Sequence, residues 1–258
     1  MVGFISGIGN FFISMIERIG DVGILLYRTF RLCFSRPLNL DSLIEQVYEI
    51  GFKSIPIVVL SAMAIGMVMV VQLAYGFGRF GAKGLVGPVV SLAIVRELGP
   101  VLASLLVGGR VGAGITAEIG SMKVTEQIDA IRALGADPIK KLVVPRFIAA
   151  VVSFPLLTLI ADLAGILGAM IMANVELDIT PRLFISSIVG WIIVSDIFSG
   201  ILKTVFFGLI VSTLGCYIGL NTEGGTQGVG KATTFTVVIS LVLIIIGDFI
   251  LTKLFLVL

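Results

Sequence analysis

The sequence predicts an all-α integral membrane protein, with an N-terminal interfacial helix followed by five transmembrane helices. Three observations lead there. Of 258 residues, 57% are apolar and only 13% charged, with a mean hydropathy of +1.15. Soluble domains carry about 25% charge and 45–50% apolar residues, so this surface is matched to lipid rather than to water. The apolar residues fall in runs long enough to cross a hydrocarbon core about 30 Å thick, which takes roughly 20 helical residues. Lysine and arginine collect at alternate ends of those runs, as orientation in a bilayer requires.

The elements follow in order. Residues 1–36 are read as an uncleaved amphipathic helix lying on the membrane. Phe4, Ile8, Phe11, Phe12, Met15, Ile19 and Val22 recur near helical spacing, with Glu17, Arg18 and Asp21 on other faces. The start lacks the basic leader and small-residue cleavage site of a signal peptide. Residues 37–54 form a connector. The first span, 55–75, has no charge at all. The second, 84–109, is interrupted by Arg96, Glu97 and Pro100, and the third, 147–175, contains Asp162 and the helix-kinking Pro155. The run 183–220 is too long for one crossing and divides into a short outer segment and a fourth helix from about Asp196. The fifth helix covers 232–258. A single membrane domain, with 55–258 as its five-helix core, is the simplest organisation.

Basic residues set the orientation. Arg18, Arg28, Arg31, Arg36 and Lys53 precede the first span, and Arg110, Lys123, Arg132, Lys140, Lys141 and Arg146 follow the second. The opposite loops hold only Arg79, Lys83 and Arg182. This predicts a cytoplasmic amino terminus and 110–146 loop, with the carboxyl terminus on the other side.

Several function classes are disfavoured. The net charge of +2 is small and dispersed, which argues against nucleic acid. There is no histidine, and Cys33 and Cys216 lack metal-ligand spacing, so hydrolytic triads and zinc chemistry have no obvious basis. One stretch, 225–232 (GTQGVGKA), follows the phosphate-loop pattern G-x-x-x-x-G-K-[ST] at seven of eight positions. It fails where the chemistry matters. Ala232 replaces the hydroxyl that would bind magnesium, and a membrane helix rather than a soluble strand precedes it. No room remains for a nucleotide-binding domain. The stretch is read as a flexible cytoplasmic turn between two helices.

Four stretches carry a family resemblance: 96–100 (RELGP), 116–130 (TAEIGSMKVTEQIDA), Asp137-Pro138 through Pro145-Arg146, and 228–234 (GVGKATT). Together, and in this order over about residues 40–258, the chain resembles the MlaE-type permeases, the membrane subunits of bacterial phospholipid ABC transporters. The resemblance implies a homodimer in the inner membrane of a Gram-negative bacterium. It further implies a separate cytoplasmic ATPase dimer that binds ATP and magnesium, a periplasmic lipid-binding subunit of the MCE type and a small cytoplasmic accessory subunit. This chain itself would hold no cofactor and catalyse nothing. The transported substrate would be a phospholipid, moved between the inner and outer membranes to maintain outer-membrane lipid asymmetry.

Three constellations follow. In 117–134, Val124, Ile128 and Ile131 form an apolar stripe at i, i+4, i+7, ended by Gly135 and Asp137-Pro138. On pattern alone this is a helix resting on the bilayer. The resemblance implies instead a coupling helix seated on the ATPase, with Glu118, Gly120, Thr125 and Glu126 near the contact. Next come the ionisable residues at membrane depth: Glu97 beside Arg96, Lys203, Asp248, Asp162 and Asp196. A lone charge at a helix centre costs about 2.5–3.5 kcal/mol on insertion scales, so each is expected to pair or to face a cavity. They read either as structural pairs or as the lining of a lipid-accessible cavity. Glu97, Lys203 and Asp248 match the family's functional polar positions, with Lys203 suited to a phosphate and Asp248 as its alternative partner. Last, Gly108, Gly109, Gly112, Ala113 and Gly114 are small enough for close helix packing, within one subunit or at a dimer seam.

A non-catalytic permease subunit accommodates all of this. An ion-gradient transporter would be expected to show inverted repeats, which are absent from the sequence pattern. A lipid-modifying membrane enzyme would need a clustered acid, base or nucleophile. A purely structural anchor would have no use for costly charges at membrane depth.

Overall fold

The computed structural model describes residues 2–35 and 39–257. Among them there is no strand, and five helices are long and apolar enough to cross a membrane, covering Leu40–Gly78, Lys83–Val124, Ile139–Leu177, Val194–Leu220 and Gly225–Phe255. The chain is a multi-pass membrane protein. It opens with α1 (Val2–Cys33), whose buried Leu25 and Thr29, four residues apart, rest on the bundle. Ile16, Ile19, Ile24, Tyr27 and Phe30 of the same helix face outward. The predicted stripe through Phe4, Ile8, Phe11, Phe12 and Met15 lies outside the residues whose side chains are described.

The first span joins α2 (Leu40–Ile50), capped by the Asn39 side chain, to α3 (Ile55–Gly78). The described part of the connector expected over 37–54, residues 39–54, is therefore largely helical. The second span holds α4 (Val86–Ala93), a π-helical turn over Ile94–Leu98, and α5 (Gly99–Val124). It runs well beyond the predicted end at Gly109. The third is α7 (Val144–Leu177), preceded by α6 (Gln127–Ala133) and a π turn over Ile139–Val143. After α8 (Pro181–Val189), started by Pro181 and capped by Thr180, the fourth span is α9 (Val194–Leu220) and the fifth α10 (Gly225–Val257). The predicted split of 183–220 is thus observed.

Packing is central around α7 and open around α10. Of the apolar window in each span, 56% is buried for the third and 17% for the fifth, so α7 is surrounded and α10 is left to lipid or to another chain. The α3–α7 pair is the most intimate. A Cβ on Gly66 would run into the carbonyl of Gly165, and one on Gly168 into that of Met63. With no hydrophobic drive between helices in lipid, such backbone contact is what holds them together. Gly108 and Gly112 face Val211 of α9 and Ile244 and Thr236 of α10, so these small residues serve packing within the chain.

Two predicted elements are corrected. The helix expected over 117–134 is two pieces. Residues up to Val124 complete α5, the Thr125 hydroxyl bonds back to the Ser121 carbonyl at 2.8 Å, and Glu126 turns left-handed at φ 58° before α6 begins. Ile128 is fully buried in the core, so the stripe faces the bundle and not the bilayer. The turn expected over 225–232 is helical instead, and only 221–224 lies between the two helices. Two consecutive glycines with positive φ, Gly224 at 85° and Gly225 at 67°, reverse the chain, and Thr226 to Lys231 already belong to α10. That conformation is open to glycine at little cost.

Candidate functional site

The site begins with a missing donor. Pro100 stands four residues after Arg96 and has no N–H, so the Arg96 carbonyl has no α-helical partner. The backbone widens by one residue there, and Gly99 N–H reaches the carbonyl of Ile94 in the π register. π turns of this kind recur at functional positions. Gly200 of α9 brings its backbone against this turn: a Cβ there would lie 2.6 Å from the Val95 carbonyl oxygen. Gly99 makes the same allowance for Asp162, whose carboxylate a Cβ would overlap.

Into this turn reaches Lys203, ten residues into α9 and 2% exposed. Its Nζ donates to Glu97 Oε2 at 2.7 Å, to Thr252 Oγ1 at 2.7 Å and to the orphaned Arg96 carbonyl at 3.2 Å. An ammonium has three hydrogens, and all three are used. Asp248 Oδ1 also lies 3.3 Å from Nζ, but no hydrogen remains for it. It makes an ion pair without a hydrogen bond and is a buried acceptor left unsatisfied. Thr252, one turn beyond Asp248 on the same face of α10, passes its own hydroxyl to Glu97 Oε2 at 3.2 Å. Beside this group Arg96 clasps Asp196 Oδ1 through Nε at 2.7 Å, while Asp196 Oδ2 caps α9 by accepting from Ile193 N–H at 3.0 Å. A cleft of about 140 Å³ opens between the two sets, lined by Arg96, Glu97, Asp196, Ser199, Lys203 and Thr252.

The structure therefore brings Glu97, Lys203 and Asp248 together, in the half of the bundle away from α6. It does not bring Glu118, Gly120, Thr125 and Glu126 onto one face. Thr125 and Glu126 are exposed at the α5–α6 joint. Glu118 is half exposed and pairs with the buried Arg146 at 2.6 Å. Gly120 points inward, where a Cβ would meet Thr222 Oγ1 at 3.1 Å. Sequence reasoning missed Thr252, an ordinary threonine in an apolar helix; its i+4 spacing from Asp248 was the available signal. It also left Arg96 and Asp196 unpaired. Asp162 remains buried with Oδ1 unpartnered among the described residues. No group of three or more Cys, Asp and Glu among those residues is placed to hold a metal ion.

A five-span helical bundle with a polar cluster sunk between three of its spans defines a polytopic membrane protein built around a buried polar site, and comparison with known proteins gives the particular kind. The chain belongs to the family described as Permease MlaE, which matches residues 43–254. It is similar to a probable ABC transporter permease protein of Rickettsia prowazekii, 40% identical over 248 residues that cover 96% of each chain. A probable ABC transporter permease protein of Synechocystis is 40% identical over 215 residues, 83% of this chain and 82% of that one. The protein TRIGALACTOSYLDIACYLGLYCEROL 1, chloroplastic, of Arabidopsis thaliana is 38% identical over 212 residues, 82% of this chain and 61% of its own length. This chain is accordingly the membrane subunit of an ABC transporter.

Proposed function

We propose that two copies of this permease form a path for a phospholipid, driven by a cytoplasmic ATPase dimer that binds ATP and magnesium. The lipid passes to or from a periplasmic subunit of the MCE type, and a small accessory subunit attends the ATPase. The membrane is the bacterial inner membrane, with the amino terminus cytoplasmic and the carboxyl terminus periplasmic. The observation that carries this reading is Lys203. Its buried ammonium is held by one carboxylate, one hydroxyl and one carbonyl, with a second carboxylate close by and unsatisfied. A lipid phosphate is a competing acceptor for the ammonium, and an amine-bearing head group is a donor for Asp248. Arg96 stands at the cleft with 41% of its side chain exposed, available to the same phosphate. The name of the Arabidopsis relative, itself that of a galactolipid, supports a lipid substrate. Movement would enter through the α5–α6 joint around Thr125 and Glu126, on an α5 that runs unbroken from there to the π turn.

Reconstitution with the partner ATPase into vesicles tests the reading. Lys203→Glu and Glu97→Lys should each abolish lipid transfer while the ATPase still copurifies in stoichiometric amount. Full transfer by both charge reversals would refute the assignment of the cluster.

A further inference from the structure

The charges around the Lys203 cleft do not cancel. Arg96 and Lys203 bring two positive charges, and Glu97, Asp196 and Asp248 bring three negative ones. Lys253, the nearest cation along α10, is exposed and does not line the cleft. Donors are short as well. Lys203 gives its three hydrogens to Glu97, Thr252 and the Arg96 carbonyl, and Arg96 turns both Nε and Nη2 to the same oxygen of Asp196. Asp248 Oδ1 remains, buried and without a hydrogen bond among the described residues. What the cluster lacks is one positive charge and one donor.

This imbalance discriminates among head groups, and the argument rests on the reading of the cleft as a phospholipid path. The phosphate is an acceptor and takes hydrogens from the partly exposed Arg96 or from Lys203. Each hydrogen taken frees an oxygen of Asp196 or Glu97, so a phosphate alone widens the shortage. A glycerol head group adds hydroxyl donors but leaves the lipid anionic, in a site already one negative charge over. Choline adds the positive charge but no N–H. A primary ammonium adds both, with three hydrogens as on lysine. Glu97 and Asp196 line the same cleft as Arg96, so acceptors for that ammonium stand beside the phosphate's donor. The cleft is small, about 140 Å³, which also favours an ammonium without methyl groups. We infer that it selects a phospholipid with a primary-amine head group, the phosphate on Arg96 and the ammonium on Glu97. Lys203 then has a hydrogen to turn to Asp248. Asp248 is the specificity-determining residue, because its charge is the surplus that the lipid's ammonium cancels.

The same reconstitution with the partner ATPase tests it, in vesicles holding equal parts of phosphatidylethanolamine, phosphatidylglycerol and phosphatidylcholine with matched acyl chains. Mass spectrometry of the lipids transferred gives the preference. Phosphatidylethanolamine should lead each of the others by about tenfold, the effect of one hydrogen bond to a charged group. In the unaltered protein, mono- and dimethylation of the ethanolamine should lower transfer stepwise, since each methyl removes one donor and keeps the charge. Asp248→Asn should bring phosphatidylethanolamine and phosphatidylglycerol level, whereas a merely structural role for Asp248 would lower all three lipids in proportion. Equal transfer of the three lipids, a flat methylation series, or a preference that survives Asp248→Asn would each overturn the inference and leave phospholipid transport standing. The methylation series needs no variant, so it decides the matter even if Asp248→Asn fails to fold. No transfer of any phospholipid by the unaltered protein would overturn the transport reading itself, and the head-group inference with it.

Discussion

The carbonyl oxygen of Arg96 accepts a hydrogen bond from Lys203 Nζ at 3.2 Å, a bond made possible because Pro100 cannot supply the usual helical donor. One imino acid in the second span thus prepares both the widened turn and the anchorage of the buried cation.

Replacing that proline should undo both. Pro100→Ala returns an N–H to the Arg96 carbonyl and removes an in-helix proline, which disfavours a helix interior by about 3 kcal/mol. The thermal midpoint should hold or rise. Lipid transfer should fall by about tenfold or more, because Arg96 and Glu97 rotate away from Lys203; a tenfold loss corresponds to about 1.4 kcal/mol. Unchanged transfer would show that the π turn is incidental.

The cation itself is expected to matter to stability as well as transport. Lys203→Met leaves Glu97 and Asp248 facing each other without a counterion, and breaking a buried pair typically costs about 3–5 kcal/mol. Glu97 is 38% exposed, so the lower end of that range applies. Adding Glu97→Gln should recover part of the loss. Thermal unfolding of the single and double variants in detergent measures the coupling directly.

Asp196 has two duties that separate cleanly. Asp196→Asn keeps an acceptor for the Ile193 N–H but loses the ion pair with Arg96, whereas Asp196→Ala loses both. The alanine variant should be less stable than the asparagine variant by about 0.5–2 kcal/mol, the value of a helix cap. Equal midpoints in the two variants would remove the capping role.

The α3–α7 contact predicts opposite outcomes for two glycines. Gly66→Ala forces a methyl into the Gly165 carbonyl and should destabilise by about 1–3 kcal/mol. Gly114→Ala in α5 meets nothing within 4 Å and should be neutral or stabilising by up to about 1 kcal/mol. Heat denaturation of the two purified variants should order them on either side of the parent chain.

Five crossings, the division of 183–220 and the set of charges at membrane depth were legible in the residues alone. They depend on composition, run length and the energetic cost of a charge in hydrocarbon, all properties of a chain segment considered singly. The 117–134 segment was not legible, because a left-handed Glu126 leaves no mark in an apolar stripe; Ile128 is drawn into the core by neighbours far away in sequence. The opening glycines of α10 misled in the same way, since Gly228 marks a helix packed against the Glu223 carbonyl as readily as it marks a loop. By itself, then, the sequence determined how many helices cross the lipid and which ionisable groups must find relief there. Only the tertiary structure decided which partner each one took. Three donors on Lys203 were enough for Glu97, Thr252 and a proline-orphaned carbonyl but not for Asp248, and that allocation is set by helices brought together from three separate parts of the chain.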